Sequence, residues 1–434
     1  MVAGQTTSTD LLATLEQTRE RTLALVSALD EDDLARVVTP LLSPLVWDLG
    51  HIGNFEQRWL LGVNNDGLDE VYDPFKQPRA LRGELPFLDT RACFEYMETV
   101  RAAVAERFES LDPYLVELVI GHEQQHNETM LQLLHLMDGY TPPIQPRREA
   151  VDGEEPLGAQ AAAAASPSAW VEYPAGIYRV GSAPAYDGHF VYDNEIDAHT
   201  VGSAGFSIAR YPVLCGDYAE WIDAGGYERA EWWSDEGRRW LATGDERMPL
   251  GWLRDAAPGE WFLAGFGEPR AMRMDEPVVH INWFEADAFA RAHGARLPSE
   301  AEWEIAAAGD PAAAAGHSRR RYAWGDQPWT EGLANLDQLA FGCLPAGVCR
   351  PPGDGPLDMA GQVWEWTSTQ FCAYPGFEPF CYADYSRPFF DAGYRVLRGG
   401  SWATRARTVD NRFRNWDLPQ RRQIFSGARL ARDT

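Results

Sequence analysis

Residues 121–128 read "GHEQQHNE", and His122 and His126 within them stand four apart. On an α-helix that spacing puts both imidazoles on one face, where they can bind one ion. With Glu123 between them, the run is a literal His-Glu-x-x-His, the pattern zinc metalloproteases carry on a helix. Two hydrogen-bonded core histidines are the bland alternative, but the polar flank of Glu123, Gln124, Gln125 and Glu128 favours a metal. The protease reading asks for more. One version needs a glycine three residues after the second histidine and a third histidine three residues beyond that. This chain has Thr129 and Gln132 there. Another version needs a glutamate on a downstream helix, whereas the chain turns Pro-rich after Gly139. The third ligand is therefore sought upstream, where His51 stands in "SPLVWDLGHIGNFEQRWL". His135, nine residues past His126, lies off the stripe and is the weaker candidate. Three neutral imidazoles would leave about three open positions on an octahedral ion, which suits Fe(II) taking substrates and O2 better than a closed structural zinc. The spacing alone leaves zinc and nickel open.

The elements that must position these residues are helices. Asp10 is a candidate N-cap ahead of an apolar stripe from Leu11 to Leu29, and a second helix is expected from about Leu45 to Leu61. A third begins near Thr90, with Phe94, Met97, Val100, Val104 and Phe108 on one face. The fourth opens with Asp112-Pro113, a cap followed by proline at the first helical position, and ends before Gly139. Four such helices predict an up-down bundle over residues 1–140. Residues 141–169 read as a linker, Pro-rich and charged, then a low-complexity "GAQAAAAASPSA" stretch that is mobile, draped or a helical spacer. From Trp170 to the end, short β-type runs ("IYRVGS", "FSIARYPV", "PVVHINW", "RVLRGGSW") alternate with Gly/Pro turns. Helical stretches interrupt them near 216–224 and 283–292, and a helix over 299–308 opens with the capping box Ser299-x-x-Glu302. Residues 170–434 thus predict a loop-rich α+β domain.

Composition narrows the function. With 65 acidic and 38 basic residues the net charge is −27, which opposes nucleic-acid and anionic-membrane surfaces. There is neither a signal-peptide pattern nor an apolar run long enough for a membrane helix. Six scattered cysteines without a Cys-x-x-Cys fit reduced thiols in a cytoplasmic protein, although Cys343/Cys349 and Cys372/Cys381 could approach in loops.

The His122-x3-His126-x-Glu128 pattern with His51 upstream resembles the DinB-like bundle superfamily. The second domain resembles the formylglycine-generating-enzyme (sulfatase-modifying-factor) fold, a C-type-lectin-like α+β domain. The stretches that carry this likeness are "RLPSEAEWEIAAAG", "YAWGD", "DMAGQVWEWTS", "YRVLRGGSW" and "FSGARLARD", in that order. Joined in this order, the two domains resemble the hercynine oxygenases, non-haem iron sulfoxide synthases of ergothioneine biosynthesis. "SPLVWDLGHIG", "HEQQHNETML" and "RNWDLPQRRQIFSG" look close to the mycobacterial type. One departure is chemical. Formylglycine-generating enzymes carry catalytic cysteines shortly after the Gly-Gly-Ser motif, whereas Gly399-Gly400-Ser401-Trp402 is followed here by "ATRARTVDNRFRNWD". The fold is expected without that chemistry, with the site between the domains.

The resemblance implies a reaction that couples the γ-glutamylcysteine sulfur to C2 of the hercynine imidazole, with O2 as oxidant. It implies roles for residues in turn. Iron(II) falls to His51, His122 and His126. Arg79 and Arg82, in a loop before the third helix, with Asp417 and Arg421, would hold γ-glutamylcysteine, since the guanidinium fork matches a carboxylate and Asp417 can take an ammonium. Trp416, with Asn415, would cradle the quaternary ammonium of hercynine on an aromatic face. Gln125 and Tyr385 would hydrogen-bond its imidazole. Tyr382 would be the acid beside the O2-derived oxygen, with Tyr374 as the competing phenol. Glu128 reads as structural. A calcium ion near Asn335 and Gln362 is a further expectation from relatives of the fold, though Gln362 stands where asparagine is usual. The rivals are an ovothiol-type synthase, a thiol dioxygenase, and a metal-bearing binding module without turnover.

Overall fold

The first helical stripe begins earlier than its cap suggested. Helix α1 spans Ser8–Val26, with Asp10 inside its first turn. Next come α2 (Glu31–Ala35), α3 (Leu45–Glu56), α4 (Asp66–Val71), α5 (Thr90–Arg107) and α6 (Pro113–His135). Helix α5 starts where the sequence places it, and α6 opens on its expected cap. Asp89 caps α5 by accepting from Ala92 N, and Asp112 caps α6 by accepting from Tyr114 N. Helix α3 continues as a π-helical turn over Gln57–Leu61, so the predicted second helix is right in extent and changes winding near its end. All twelve residues of α3 are buried, and it packs on α5 and α6, while α1 packs on α6.

An ion cluster that no local pattern announced crosses the middle of this bundle. Each long helix contributes one residue: Arg19 from α1, Glu56 from α3, Arg101 from α5 and Glu123 from α6. Arg19 bonds Glu56 at 2.7 Å and Glu123 at 2.8 Å, and Arg101 bonds Glu56 at 2.7 Å. Both carboxylates are fully buried.

The computed structural model describes residues 8–147, 170–183, 190–255, 259–309 and 320–434. The chain forms two compact units. The first is Met1–Gln145 with Asp187–Phe190 and Gly265–Glu268, and the second is the remainder. Most of the expected linker, including its poly-alanine run, lies outside the described residues.

The second unit is built from small sheets. Strands β1 (Trp170–Tyr173), β4 (Phe206–Ala209) and β12 (Ala431–Asp433) form one in the order β1-β4-β12, and β2 (Gly176–Val180) pairs with β3 (His199–Ser203). Strands β5 (Trp252–Arg254), β6 (Trp261–Leu263) and β7 (Arg270–Ala271) form a meander. The central sheet runs β10-β9-β8-β11, from β8 (Trp364–Gln370), β9 (Arg395–Arg398), β10 (Asn415–Asp417) and β11 (Ser426–Gly427). Among the described residues four helices accompany the sheets: α7 (Cys215–Asp223), α8 (Asp235–Leu241), α9 (Trp283–Ala292) and α10 (Glu300–Ala308). Ser299 and Glu302 make the predicted capping box at the start of α10.

One predicted strand is absent. "PVVHINW" forms only an isolated bridge, Pro277 to Leu214. Its buried backbone groups bond to different segments, Val278 N to Val213 O and Ile281 N to Ser426 O, and no single ladder forms. All six cysteines are free thiols, Cys343/Cys349 and Cys372/Cys381 included.

Candidate active site

Helices α3 and α6 bring His51, His122 and His126 together, with one ligand atom from each lying within 4.8 Å of the others. No other such group of histidine, cysteine and acidic side chains occurs among the described residues. His51 Nε2 stands 3.1 Å from His122 Nε2. Burial first, then the neighbouring imidazoles, push His51 and His122 well below the usual histidine range, so both rings are neutral at physiological pH. Neutral imidazoles with converging lone pairs are the donor set a divalent transition metal requires.

The rings are held from behind. His51 donates through Nδ1 to Tyr72 O at 2.8 Å, which leaves its Nε2 lone pair facing the other two histidines. Trp47 stacks on His51 with centroids 5.1 Å apart, and Phe55 stacks on His122 at 3.6 Å. Tyr72 reaches this position because Gly50 carries no side chain: a Cβ there would lie 2.2 Å from the Tyr72 ring. Sequence reasoning missed Tyr72 and Phe55. An aromatic at i+4 from a ligand on one helix (His51 and Phe55) was the available signal.

Glu123, the would-be general base of a protease, is engaged on the opposite side of α6. It accepts from Arg19 Nε and from Thr22 Oγ1 at 2.6 Å, and has no exposed surface. The His-Glu-x-x-His pattern therefore combines two histidines that converge with His51 and one bundle-locking carboxylate. Gln125 is half-buried between the two histidines, Glu128 is buried, and His135 stands at the end of α6 with its ring against Phe266.

Arg79 and Arg82 lie on a 3-10 helix, Arg79–Glu84, where a loop was expected. Their side chains differ. Arg79 is exposed and donates to Leu41 O at 3.2 Å. Arg82 is 5 % exposed, stacks on Trp47 with its guanidinium carbon 3.8 Å from the ring centroid, and donates to Gln77 O, Ser43 Oγ and Pro74 O. Those bonds leave one N–H on each terminal nitrogen for a carboxylate. Burial lowers its pKa to about 10, so it remains cationic.

In the second unit the aromatic candidates gather around β10. Trp416 stacks on Phe371 at 4.1 Å, and Tyr385 meets it edge-on at 5.5 Å. Tyr385 also stacks on Tyr192 at 4.4 Å, and the Tyr382 ring is 6.3 Å from Tyr385. Asn415 Oδ1 accepts from Trp416 N. Asp417 and Arg421 face each other at 3.6 Å, one turn apart. Tyr374, the competing phenol, is buried: it donates to Glu300 at 3.3 Å and Arg414 lies over its ring at 3.9 Å. Burial and then Glu300 push it far above the usual tyrosine range, so it is a poor proton donor. Tyr382 is only half-buried.

Asn335 and Gln362 turn their amides on each other and on the backbone: Asn335 Nδ2 donates to Gln362 Oε1 at 2.9 Å, and Gln362 also pairs with both Leu344 N and Leu344 O. The Gln362 oxygen thus accepts two bonds, while Asn335 Oδ1 is buried and makes none. After the Gly-Gly-Ser motif, Thr404 Oγ1 accepts from Ser401 N and Val409 packs in a buried cluster with Trp324 and Leu336. The turn is filled by packing residues and offers no thiol.

The chain's likeness to known proteins agrees with this division. The DinB superfamily matches residues 14–137, and the sulfatase-modifying factor enzyme 1-like domain matches residues 158–434. A hercynine oxygenase of Mycolicibacterium thermoresistibile is 41% identical, over 98% of this chain and 95% of that protein. One from Mycolicibacterium smegmatis is 42% identical over the full length of both. Another from Mycobacterium tuberculosis is 41% identical over 99% of this chain and all of the relative.

Proposed function

The chain belongs to the hercynine oxygenase family, and from that premise we propose that it is an iron(II)- and O2-dependent sulfoxide synthase of ergothioneine biosynthesis. It joins the sulfur of γ-glutamylcysteine to C2 of the hercynine imidazole. The thiol loses its S–H, the imidazole loses its C2–H, a C–S bond forms and the sulfur gains one oxygen. The second oxygen atom of O2 leaves as water with both hydrogens, so one O2 accounts for all four electrons.

The observation that carries this reading is the convergence of three histidine nitrogens with no carboxylate among them. When bound there, iron(II) supplies the capacity to activate O2 while leaving positions for sulfur and imidazole. The remaining roles belong to side chains. Arg79 and Arg82 bind the carboxylates of γ-glutamylcysteine, with Arg421, while Asp417 takes its ammonium. Trp416 and Asn415 cradle the trimethylammonium of hercynine, whose cation has no N–H to donate and is best met by an aromatic face. Gln125 and Tyr385 orient the imidazole by hydrogen bonds. Tyr382 donates a proton from its phenol Oη to the O2-derived oxygen. Its partial exposure, against the buried and engaged Tyr374, supports that choice.

The test is turnover of hercynine and γ-glutamylcysteine under 18O2 by iron(II)-loaded protein, read by mass spectrometry. One labelled oxygen in a C–S adduct is the predicted product. Sulfinic acid alone, with no adduct, would replace this reading by thiol dioxygenation. Tyr382→Phe should move the product ratio towards sulfinic acid, and an unchanged ratio would remove its role.

A further inference from the structure

Two of the three histidines have an evident support: the Tyr72 carbonyl fixes the tautomer of His51, and the Phe55 ring backs His122. His126 differs. Its Nδ1 is sealed from solvent and makes no hydrogen bond within 3.5 Å. The polar atom that faces it is Asp48 Oδ1, 3.6 Å away, on a side chain 2 % exposed. Asp48 stands on α3 three residues before His51, so one helix turn carries both a ligand and a carboxylate directed at a second ligand.

We propose that Asp48 is a positioning residue for the metal: it takes the Nδ1–H of His126 and so presents the Nε2 lone pair of that ring to the ion. A neutral imidazole can bind through Nε2 only as the Nδ1–H tautomer, and a carboxylate at Nδ1 selects that tautomer and raises the basicity of the ligating nitrogen. The buried carboxylate also needs positive partners. Besides the His126 N–H it has Arg82, whose charge Asp48 favours and whose guanidinium covers Trp47. Trp47, Asp48 and His51 thus form one block of α3 that touches the metal triad at two rings and Arg82 at its far side. The sequence offered Asp48 only as one acidic residue in "LVWDLGH".

This inference rests on the triad holding a metal and is independent of which substrates react. The experiment is cobalt(II) titration of the full-length, metal-free protein, followed by the visible absorption of the bound ion. Asp48→Ala should weaken cobalt binding about 10–100-fold and shift the absorption bands. Asp48→Asn, which keeps the shape, should fall between it and the parent. If Asp48 acts through His126, then His126→Ala and the Asp48→Ala/His126→Ala pair should bind cobalt equally, since the second change has nothing left to affect. A general packing role would instead weaken binding on both backgrounds and would overturn the proposal. Cobalt affinity and spectrum unchanged in Asp48→Ala and Asp48→Asn would overturn it too. A parent protein that takes up no cobalt would overturn the metal reading together with this one.

Discussion

Replacing Glu123 by alanine separates the structure's reading of the His-Glu-x-x-His run from the protease reading. Glu123 accepts from Arg19 Nε at 2.8 Å, Arg19 Nη2 at 3.2 Å, Thr22 Oγ1 at 2.6 Å and Arg101 Nη2 at 3.5 Å. Without it, the buried Arg19 and the half-buried Arg101 share Glu56 alone, so one positive charge is left without compensation. Removing one partner of a buried ion cluster costs about 3–5 kcal/mol. At roughly 2–4 °C per kcal/mol for a unit of this size, the first unit should melt about 6–20 °C lower. The assay is far-ultraviolet circular dichroism of the metal-free protein on heating, followed by cobalt titration well below the transition. Folded Glu123→Ala protein should still take up cobalt, because the carboxylate faces away from the triad. A variant that melts with the parent yet loses turnover would refute the reasoning and make Glu123 a participant in the chemistry.

Arg79→Ala should raise KM for the thiol substrate and leave the melting temperature unchanged, whereas Arg82→Ala should also lower stability by about 2–4 kcal/mol through lost buried hydrogen bonds and stacking; equal melting of the two would contradict their different burial. Gly50→Ala drives a methyl into the Tyr72 ring, displaces the carbonyl that holds His51, and should weaken metal binding while costing about 1–3 kcal/mol of overpacking; parental cobalt affinity would argue that Tyr72 does not orient the ligand. His280 is pushed down to about 4 by burial, so below pH 6.5 the unfolded chain takes up a proton that the folded chain refuses. Stability should therefore fall by up to about 3 kcal/mol between pH 6.5 and 4 on this account, and His280→Gln should flatten that slope; an unchanged slope in denaturant titrations would remove His280 as its source.

What the sequence disclosed was what short-range periodicity can carry. The His122/His126 pair, the Asp112 cap and the Ser299/Glu302 box are all local patterns, and each has its predicted geometry. What it withheld depends on residues far apart in the chain or on backbone atoms. Arg19 meets Glu123 across 104 positions, and the atom that orients His51 is a carbonyl, which has no residue-type signature. The inward turn of Arg82 follows from Trp47 and Ser43, some 40 positions upstream. "PVVHINW" misled because a buried extended segment that bonds to several neighbours has the apolar content of a strand without its ladder. No helix among the described residues is long and apolar enough to cross a membrane, in line with the hydropathy of the chain.

Three histidines on α3 and α6 would hold the ion at which O2 joins a thiol to an imidazole. Oxygen uptake by anaerobically iron(II)-loaded protein tests it most directly, with hercynine paired first with γ-glutamylcysteine and then with cysteine, and each product weighed by mass spectrometry. One O2 should be consumed per sulfoxide adduct with the dipeptide, with no uptake when His51 is replaced by alanine. Uptake and adduct formation that survive the loss of His51 would contradict it.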